Sequence, residues 1–380
     1  MQVHGFAFCI VNTHFRHPIS SAKLGVSFAV CCYNSVERLP RMLQHLLAQR
    51  VPTHLEWEVL IINNRSTDRT AEVARECWPT NAPAPLRVVD EPQPGQAHAR
   101  LRAFEEAQFE IVSFVDDDNW VAPDWLEKVY SIMSEHPNVA ALGGCNSPAS
   151  DVPLPTWFES QQHSYAVGPQ SSVSGDVTDF KPRLWGAGLS VRQAAFRQLR
   201  TQDFEFILTG REGTSLTASE DYELCLALTL AGWRIWYEPA LHLQHYLPTN
   251  RLTWCYVRRL VRGVSRSGVL LDPYLFAIGK RDHLYIHPFQ RRWSVKVAAS
   301  ILRLIIQFII LAFAGQAEGS PTLLKIECLI GRLQGLFAWR ELYVTQIKTI
   351  RQAAWRQQPT DETHSYPSFV SPVSTTAPSK

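Results

Sequence analysis

The chain has 380 residues, 46% hydrophobic and 19% charged, with a formal net charge of +2 from 37 basic and 35 acidic side chains. That much apolar material excludes wholesale disorder, and the near-balance of charge argues against a nucleic-acid binder, which carries a larger basic excess. The length allows two or three domains, or one large domain with appendages.

Residues 1–23 read as an N-terminal extension. The apolar piece at 6–11 has no basic region before it and no small-residue cleavage site after it, so it is not expected to be a signal peptide. Strand-like and helix-like segments then alternate. Residues 24–32 (LGVSFAVCC) form an apolar run of strand length, and 35–49 carry Val36, Leu39, Leu43, Leu46 and Leu47 as a helical stripe. A second strand is expected over 57–62, then a helix capped by Ser66 and running to about Cys77. Residues 86–89, 111–115 and 139–144 read as further strands, with helices over 95–108 and 123–134. Repeated βα units with short apolar strands predict a parallel sheet covered on both faces.

Residues 146–183 are irregular and rich in Ser, Pro and Gly. Ser219 is a candidate cap for a helix to Ala231, with Gly232 as its stop, and a strand follows over 233–237. Residues 251–303 hold 11 basic side chains against Asp272 and Asp282. Residues 297–314 are strongly apolar, and the Pro/Ser/Thr-rich 357–380 are expected to be a disordered tail. The eight cysteines form no CxxC pair, which removes zinc-ribbon and thioredoxin chemistry and favours a reducing, cytoplasmic compartment.

In an open α/β sheet, ligands bind outside the carboxyl ends of the strands. Tyr33 and Asn34 follow the first strand, Asn63 to Asp68 the second, and Asp116, Asp117 and Asp118 the fourth. Three adjacent carboxylates repel unless a cation or strong donors neutralise them, and oxygen ligands suit Mg²⁺ or Mn²⁺ beside phosphate oxygens. A solvated acidic turn is the alternative. Glu220 and Asp221 open a predicted helix, where an acid either caps or accepts a proton. Gly95, Gln96, His98 and Arg100 begin another helix whose N–H groups and arginine suit a phosphate or nucleoside. Gly186-Ala187-Gly188 lacks the third glycine of a dinucleotide loop. His245 alone reads more readily as structural than as a ligand.

Taken together and in this order, these motifs resemble a family 2 glycosyltransferase of GT-A fold, over roughly residues 24–270. The wording around 115–120, 219–221 and 231–237 is most similar to bacterial exopolysaccharide enzymes, in particular cyanobacterial hormogonium-polysaccharide transferases. The resemblance implies a Rossmann-like mixed sheet with helices on both faces over 24–250, and a basic, amphipathic helical extension over 251–356. It implies that Asp116 and Asp118 match the DXD motif, with His245 near the diphosphate as a further metal ligand. Tyr33, Asn34, Asn63, Arg100, Asp116 and Asp117 would bind the nucleotide-sugar donor. Asp221 would be the base of an inverting mechanism, with Glu220 beside a saccharide or lipid-linked acceptor.

Two departures stand out. The family usually has an acidic residue where Asn63 stands, which leaves a uracil preference open. Gln290-Arg291-Arg292-Trp293 is one residue short of the QxxRW of processive synthases, so a non-processive enzyme is expected. An inactive GT-A module that binds a glycan or a partner is one rival, opposed by the intact Asp118 and Asp221. A nucleotidyltransferase is another, opposed by the lack of a glycine in Cys31-Cys32-Tyr33-Asn34. Residues 297–314 barely reach the length of a membrane span and carry Arg303 near their middle. They are expected to form either an interfacial helix with an Arg303/Gln307 stripe outward, giving peripheral contact with the inner face of the plasma membrane, or a buried helix.

Overall fold

The computed structural model describes residues 23–210, 218–279, 292–314 and 318–357. The N-terminal extension up to residue 22, most of the tail, and Gln290 and Arg291 therefore lie outside the described residues. In chain order the first half runs β1 (Lys23–Cys32), α1 (Leu39–Leu47), β2 (Trp57–Asn64), α2 (Thr70–Glu76), β3 (Leu86–Glu91), α3 (Gln96–Glu106), β4 (Phe109–Phe114), β5 (Asn119–Val121), α4 (Trp125–Glu135) and β6 (Val139–Ala149). There follow α5 (Phe158–Gln161), β7 (Gly175–Asp176), β8 (Ser190–Arg192), α6 (Gln193–Arg200), α7 (Glu220–Leu230) and β9 (Arg234–Tyr246). The remainder is helical: α8 (Trp254–Ser267), α9 (Asp272–Ile278), α10 (Trp293–Ala314), α11 (Pro321–Ala338) and α12 (Arg340–Gln352).

The strands form one sheet ordered β3-β2-β1-β4-β8-β6-β9-β5, with β7 on β9. The expected parallel pairing holds from β3 to β4. Beyond β4 the sheet is mixed: β8 runs antiparallel to both β4 and β6, and β5 antiparallel to β9. The period of two sorts the core. Val26, Phe28 and Val30 of β1 face α1 and α4 (Leu39, Leu43, Trp125, Val129) in one apolar layer, while Ala29 faces α3 and α7 (Ala99, Ala103, Leu224) in the other.

Two predicted caps are not caps. Ser66 Oγ accepts from the Asn34 N–H, and the helix starts later, at Thr70. Ser219 makes no side-chain cap bond; its backbone is left-handed, φ 95°, which turns the chain sharply into α7. Gly232 does end that helix region with φ 91°, as a residue without a Cβ does most cheaply.

The extension shares the core of the sheet. Ile350 and Trp355 belong to the same apolar cluster as Leu224 and Trp233, and the Tyr274 hydroxyl donates to buried Glu223 at 2.7 Å. Glu223 also accepts from the N–H groups of Ile207 and Leu208, and burial raises its pKa to about 7. On the outside, α10 and α11 form a helical hairpin, with α11 against α8. Arg258 and Arg262 bracket buried Glu327 there. Of the two alternatives for α10, a buried helix is not what is seen. Only a stripe through Val297, Ser300 and Leu311 is covered, and Gln307 turns towards it rather than outward with Arg303.

Candidate active site

A cavity of about 810 Å³ opens at the carboxyl ends of β1, β2 and β4, where an α/β sheet places its ligands. It gathers residues from distant parts of the sequence: Tyr33, Arg100, the three aspartates, Glu220, Asp221 and His245 all line it. Asn64, Gln96 and Gly186, from segments the sequence had marked, line it too, as do Arg38, Trp185, Tyr222 and Arg251, which sequence reasoning did not single out as site residues.

The three aspartates leave β4 in three directions, each towards a different base. Asp117 is only 8% exposed and accepts from Arg38 Nη2 at 2.8 Å and from Ser35 Oγ. Asp118 Oδ2 accepts from Arg251 Nη1 at 2.9 Å, with His245 Nε2 3.6 Å from its other oxygen. Asp116 lies within 3.4 Å of Gln96 Nε2 and in the field of Arg100. Burial and then the neighbouring Asp118 push Asp116 up to about 6, against the pull of Arg100. Asp116 and Asp118 both line the cavity.

Arg100 is the hub. It is 2% exposed, lies 5.4 Å over the Phe114 ring, and has Nη1 3.5 Å from Glu220 Oε1. Burial works against its charge, but Glu220, Asp221 and Asp116 outweigh it and hold its pKa above the ordinary arginine value. Its guanidinium occupies the space above Gly186, where a Cβ would come within 2.1 Å of Nη2. That close approach accounts for Gly186 without any dinucleotide loop.

Asp221 sits on the first turn of α7. Its Oδ2 accepts from the Gly186 N–H at 2.5 Å and its Oδ1 from the Tyr222 N–H at 2.8 Å. Burial, then the adjacent Glu220, raises its pKa to about 6, which suits a base at neutral pH. The Oε2 of Glu220 and the Nδ1 of His245 are buried without a hydrogen-bond partner.

Asn34 and Asn63 stand just outside the lining. Asn34 Oδ1 accepts from the Thr67 N–H and braces the loop, and Asn63 Nδ2 donates to Asp90 at 2.8 Å. Asn64 lines the cavity instead, its Oδ1 accepting from the Gly95 N–H. Among the described residues, no three His, Cys, Asp or Glu side chains converge closely enough to hold an ion by themselves. Asp118 with His245 offers an oxygen and a nitrogen 3.6 Å apart, a partial set that fits a divalent cation completed by phosphate oxygens.

Tyr256, Leu260, Val261 and Val264 of α8 give the cavity an apolar wall. Trp293, of the QxxRW-like stretch, is remote from the cavity: its indole N–H donates to the Leu336 carbonyl.

The chain is 22% identical over 323 residues to the succinoglycan biosynthesis protein ExoM of Rhizobium meliloti, covering 84% of this chain and 95% of that protein. It is 22% identical over 244 residues to a glucosyl-dolichyl phosphate glucuronosyltransferase of Haloferax volcanii, covering 63% and 76%. Among solved structures, mannosyltransferase PcManGT from Pyrobaculum calidifontis, in complex with GDP-Man and Mn²⁺, superposes with a TM-score of 0.49 at 18% identity, covering 87% of this chain and 88% of that one. Residues 27–201, which run from β1 through α6, match the family described as glycosyl transferase family 2, and the chain carries a domain of that family on its mixed sheet.

Proposed function

We propose that the chain is an inverting, non-processive transferase that moves a sugar from a nucleotide-sugar donor to an acceptor hydroxyl in polysaccharide assembly. The observation that carries this reading is Asp221, a carboxylate with a pKa of about 6 fixed by two backbone N–H groups in the same cavity as Asp116 and Asp118. In the reaction the acceptor oxygen attacks the anomeric carbon, its proton passes to Asp221, and the carbon–oxygen bond to the nucleoside diphosphate breaks. One displacement inverts the configuration, and no covalent enzyme intermediate forms.

Asp116, Asp118 and His245 would hold Mg²⁺ or Mn²⁺, which supplies charge stabilisation for the departing diphosphate. Arg251 and Arg38 add fixed positive charge on the same side of the cavity. Tyr33 and Asn64 stand where the nucleoside would enter, with Asn34 bracing the loop. The names of the two relatives support an acceptor that is a saccharide or lipid-linked. The apolar wall on α8 favours an acceptor with a hydrocarbon portion, and an enzyme working at the cytoplasmic face of a membrane. Non-processivity is supported by there being one helix, among the described residues, long and apolar enough to span a membrane, where a synthase channel needs several.

Titrating the protein with UDP- and GDP-sugars, with and without Mn²⁺, tests the assignment. Metal-dependent binding of at least one nucleotide sugar is expected, and binding of none would refute it.

A further inference from the structure

The outer face of α10 is bare. Ile301, Leu302, Ile305, Ile306, Phe308 and Ile309 are 42–60% exposed. At 100° per residue they fall on one continuous arc. Mean hydropathy over Trp293–Leu311 is 2.0, and 17% of that stretch is buried. Soluble surfaces rarely leave an apolar patch of this extent uncovered.

The surroundings of the arc indicate what covers it. The helix has no acidic side chain. Of its two charges, Lys296 turns inward, 3.8 Å from Asp272, and Arg303 is exposed at the rim of the arc. On the neighbouring α11, Lys325 is exposed, whereas the acid Glu327 is sealed between Arg258 and Arg262. At the N-terminal end of α10, Arg340 lies 4.6 Å over the Trp293 ring, next to Phe337, which is 58% exposed. The helix thus offers an apolar arc edged by Arg303 with a tryptophan–arginine end, the exposed acids Glu318 and Glu341 belonging to neighbouring segments, and this matches an anionic lipid headgroup layer over hydrocarbon.

We propose that α10 docks the enzyme on an anionic membrane surface, lying in the plane of the headgroups with the Ile301–Ile309 arc towards the acyl chains. The helix lies on the bilayer and does not cross it. Its inner stripe is already occupied by α11, which packs on α8, and α8 is a wall of the catalytic cavity. Crossing would carry Arg258, Arg262 and Glu327 into hydrocarbon, at about 2.5–3.5 kcal/mol for each charge near the bilayer centre. Lying flat leaves all three on the aqueous side. The docking deepens the proposed function by delivering a membrane-borne acceptor to the cavity, but it is measured without any turnover.

The test is flotation of the full chain with vesicles of phosphatidylcholine alone, or mixed in equal parts with phosphatidylglycerol. The parent protein should float with the mixed vesicles at low salt, float less with phosphatidylcholine, and be released by alkaline carbonate. Leu302→Glu with Ile305→Glu, both on the exposed arc, should reduce partition roughly a hundredfold, as expected for taking two large apolar side chains out of the interface. Arg303→Glu should weaken binding at low salt and have little effect at high salt. Unchanged circular dichroism and nucleotide-sugar binding in the double variant would show that its loss is one of docking alone. The proposal is overturned if the parent stays soluble with mixed vesicles or if the double variant floats equally well. It is overturned too if carbonate fails to release the protein, or if the arc instead mediates a dimer that the double variant dissolves.

Discussion

Asp116, Asp117 and Asp118 show how one sequence feature becomes three different chemical groups. Each carboxylate would be costly to bury alone, and each meets a separate cation: Arg100, Arg38 and Arg251. The acidic triplet was legible because a polar cluster after an apolar strand is a local pattern. Its partners were not: Arg38 is 79 positions from Asp117 and Arg251 is 133 from Asp118, and nothing local distinguishes them from other arginines. Removing the charge of Asp118 with Asp118→Asn should keep the fold and abolish most metal-dependent transfer, and full activity in EDTA would contradict that.

Asp221→Asn should lower kcat/KM by about 10²–10⁴, the usual contribution of a general base, with donor affinity near normal in a direct titration. For the parent enzyme, kcat/KM should fall as pH drops through about 6 if Asp221 is the base proposed above, since a carboxyl accepts a proton only when ionised. The same shift has a stability sign. The folded state raises this carboxyl from 3.8 to about 6, so it binds the proton more tightly than the unfolded chain does. Its ionisation therefore costs stability as pH rises through that window, and Asp221→Asn should gain stability relative to the parent between those two values. A flat difference in melting temperature across the window would show that the carboxyl is not raised.

Gly186 argues the same point sterically. Gly186→Ala would drive a methyl group into Arg100, which is buried against Glu220, and breaking a buried pair costs about 3–5 kcal/mol. Melting temperature and kcat/KM should both drop. Gly268→Ala is the control. Its φ is −58° and nothing lies within 4 Å of the added Cβ, so it should be neutral or stabilise by up to about 1 kcal/mol.

At the scale of elements, most long periodic segments were legible and short ones were not, although β9, expected over 233–237, runs on through His245 to Tyr246. β1, β2, α3, β4 and α4 fall within a few residues of their expected bounds, because an apolar run or a helical stripe needs only local sequence. β5, β7 and β8 have three, two and three residues, shorter than any periodicity can register. The antiparallel course of β8 is decided by tertiary packing. Ser190 and Val191 are fully buried between β4 and β6, and the Ser113 and Ser190 hydroxyls meet at 2.9 Å.

The α8–α11 contact was equally invisible, since it depends on two glycines. A Cβ at Gly331 would come within 2.2 Å of the Arg262 carbonyl oxygen, and one at Gly335 within 2.4 Å of that of Arg266. The obstacle is backbone, so no rotamer change relieves it and the helices must separate. Gly331→Ala should destabilise by about 1–3 kcal/mol, the range for overpacking a well-fitted contact, despite its better helix propensity. A raised melting temperature would mean that α11 does not sit on α8 in this way.

For the molecule as a whole, the arrangement predicts one cooperative unit in place of a catalytic domain with a dispensable tail. The composition change near residue 251 looks like a boundary in the sequence, but the packing crosses it. Arg251 binds Asp118, α8 walls the cavity, and Tyr274 satisfies Glu223, which in turn holds the backbone at Ile207 and Leu208. Trp355, 6% exposed, packs on both Phe204 and Tyr274, and the Gln357 N–H donates to the carbonyl of Leu230, the last residue of α7. Ending the chain at residue 250 would uncover one side of this apolar core, leave Glu223 without its hydroxyl donor, and remove a cavity wall. Each large core side chain so exposed forgoes about 1.5–3 kcal/mol, and a few of them exceed the 5–15 kcal/mol that holds a typical domain folded. Residues 1–250 expressed alone should therefore fail to melt cooperatively and should bind no nucleotide sugar. The intact chain should show coincident unfolding by far-ultraviolet circular dichroism and by tryptophan fluorescence, with Trp233 in the sheet and Trp355 in the extension losing their burial together. Two separated transitions, or a truncated chain that melts sharply and binds donor, would show that the extension is an independent module.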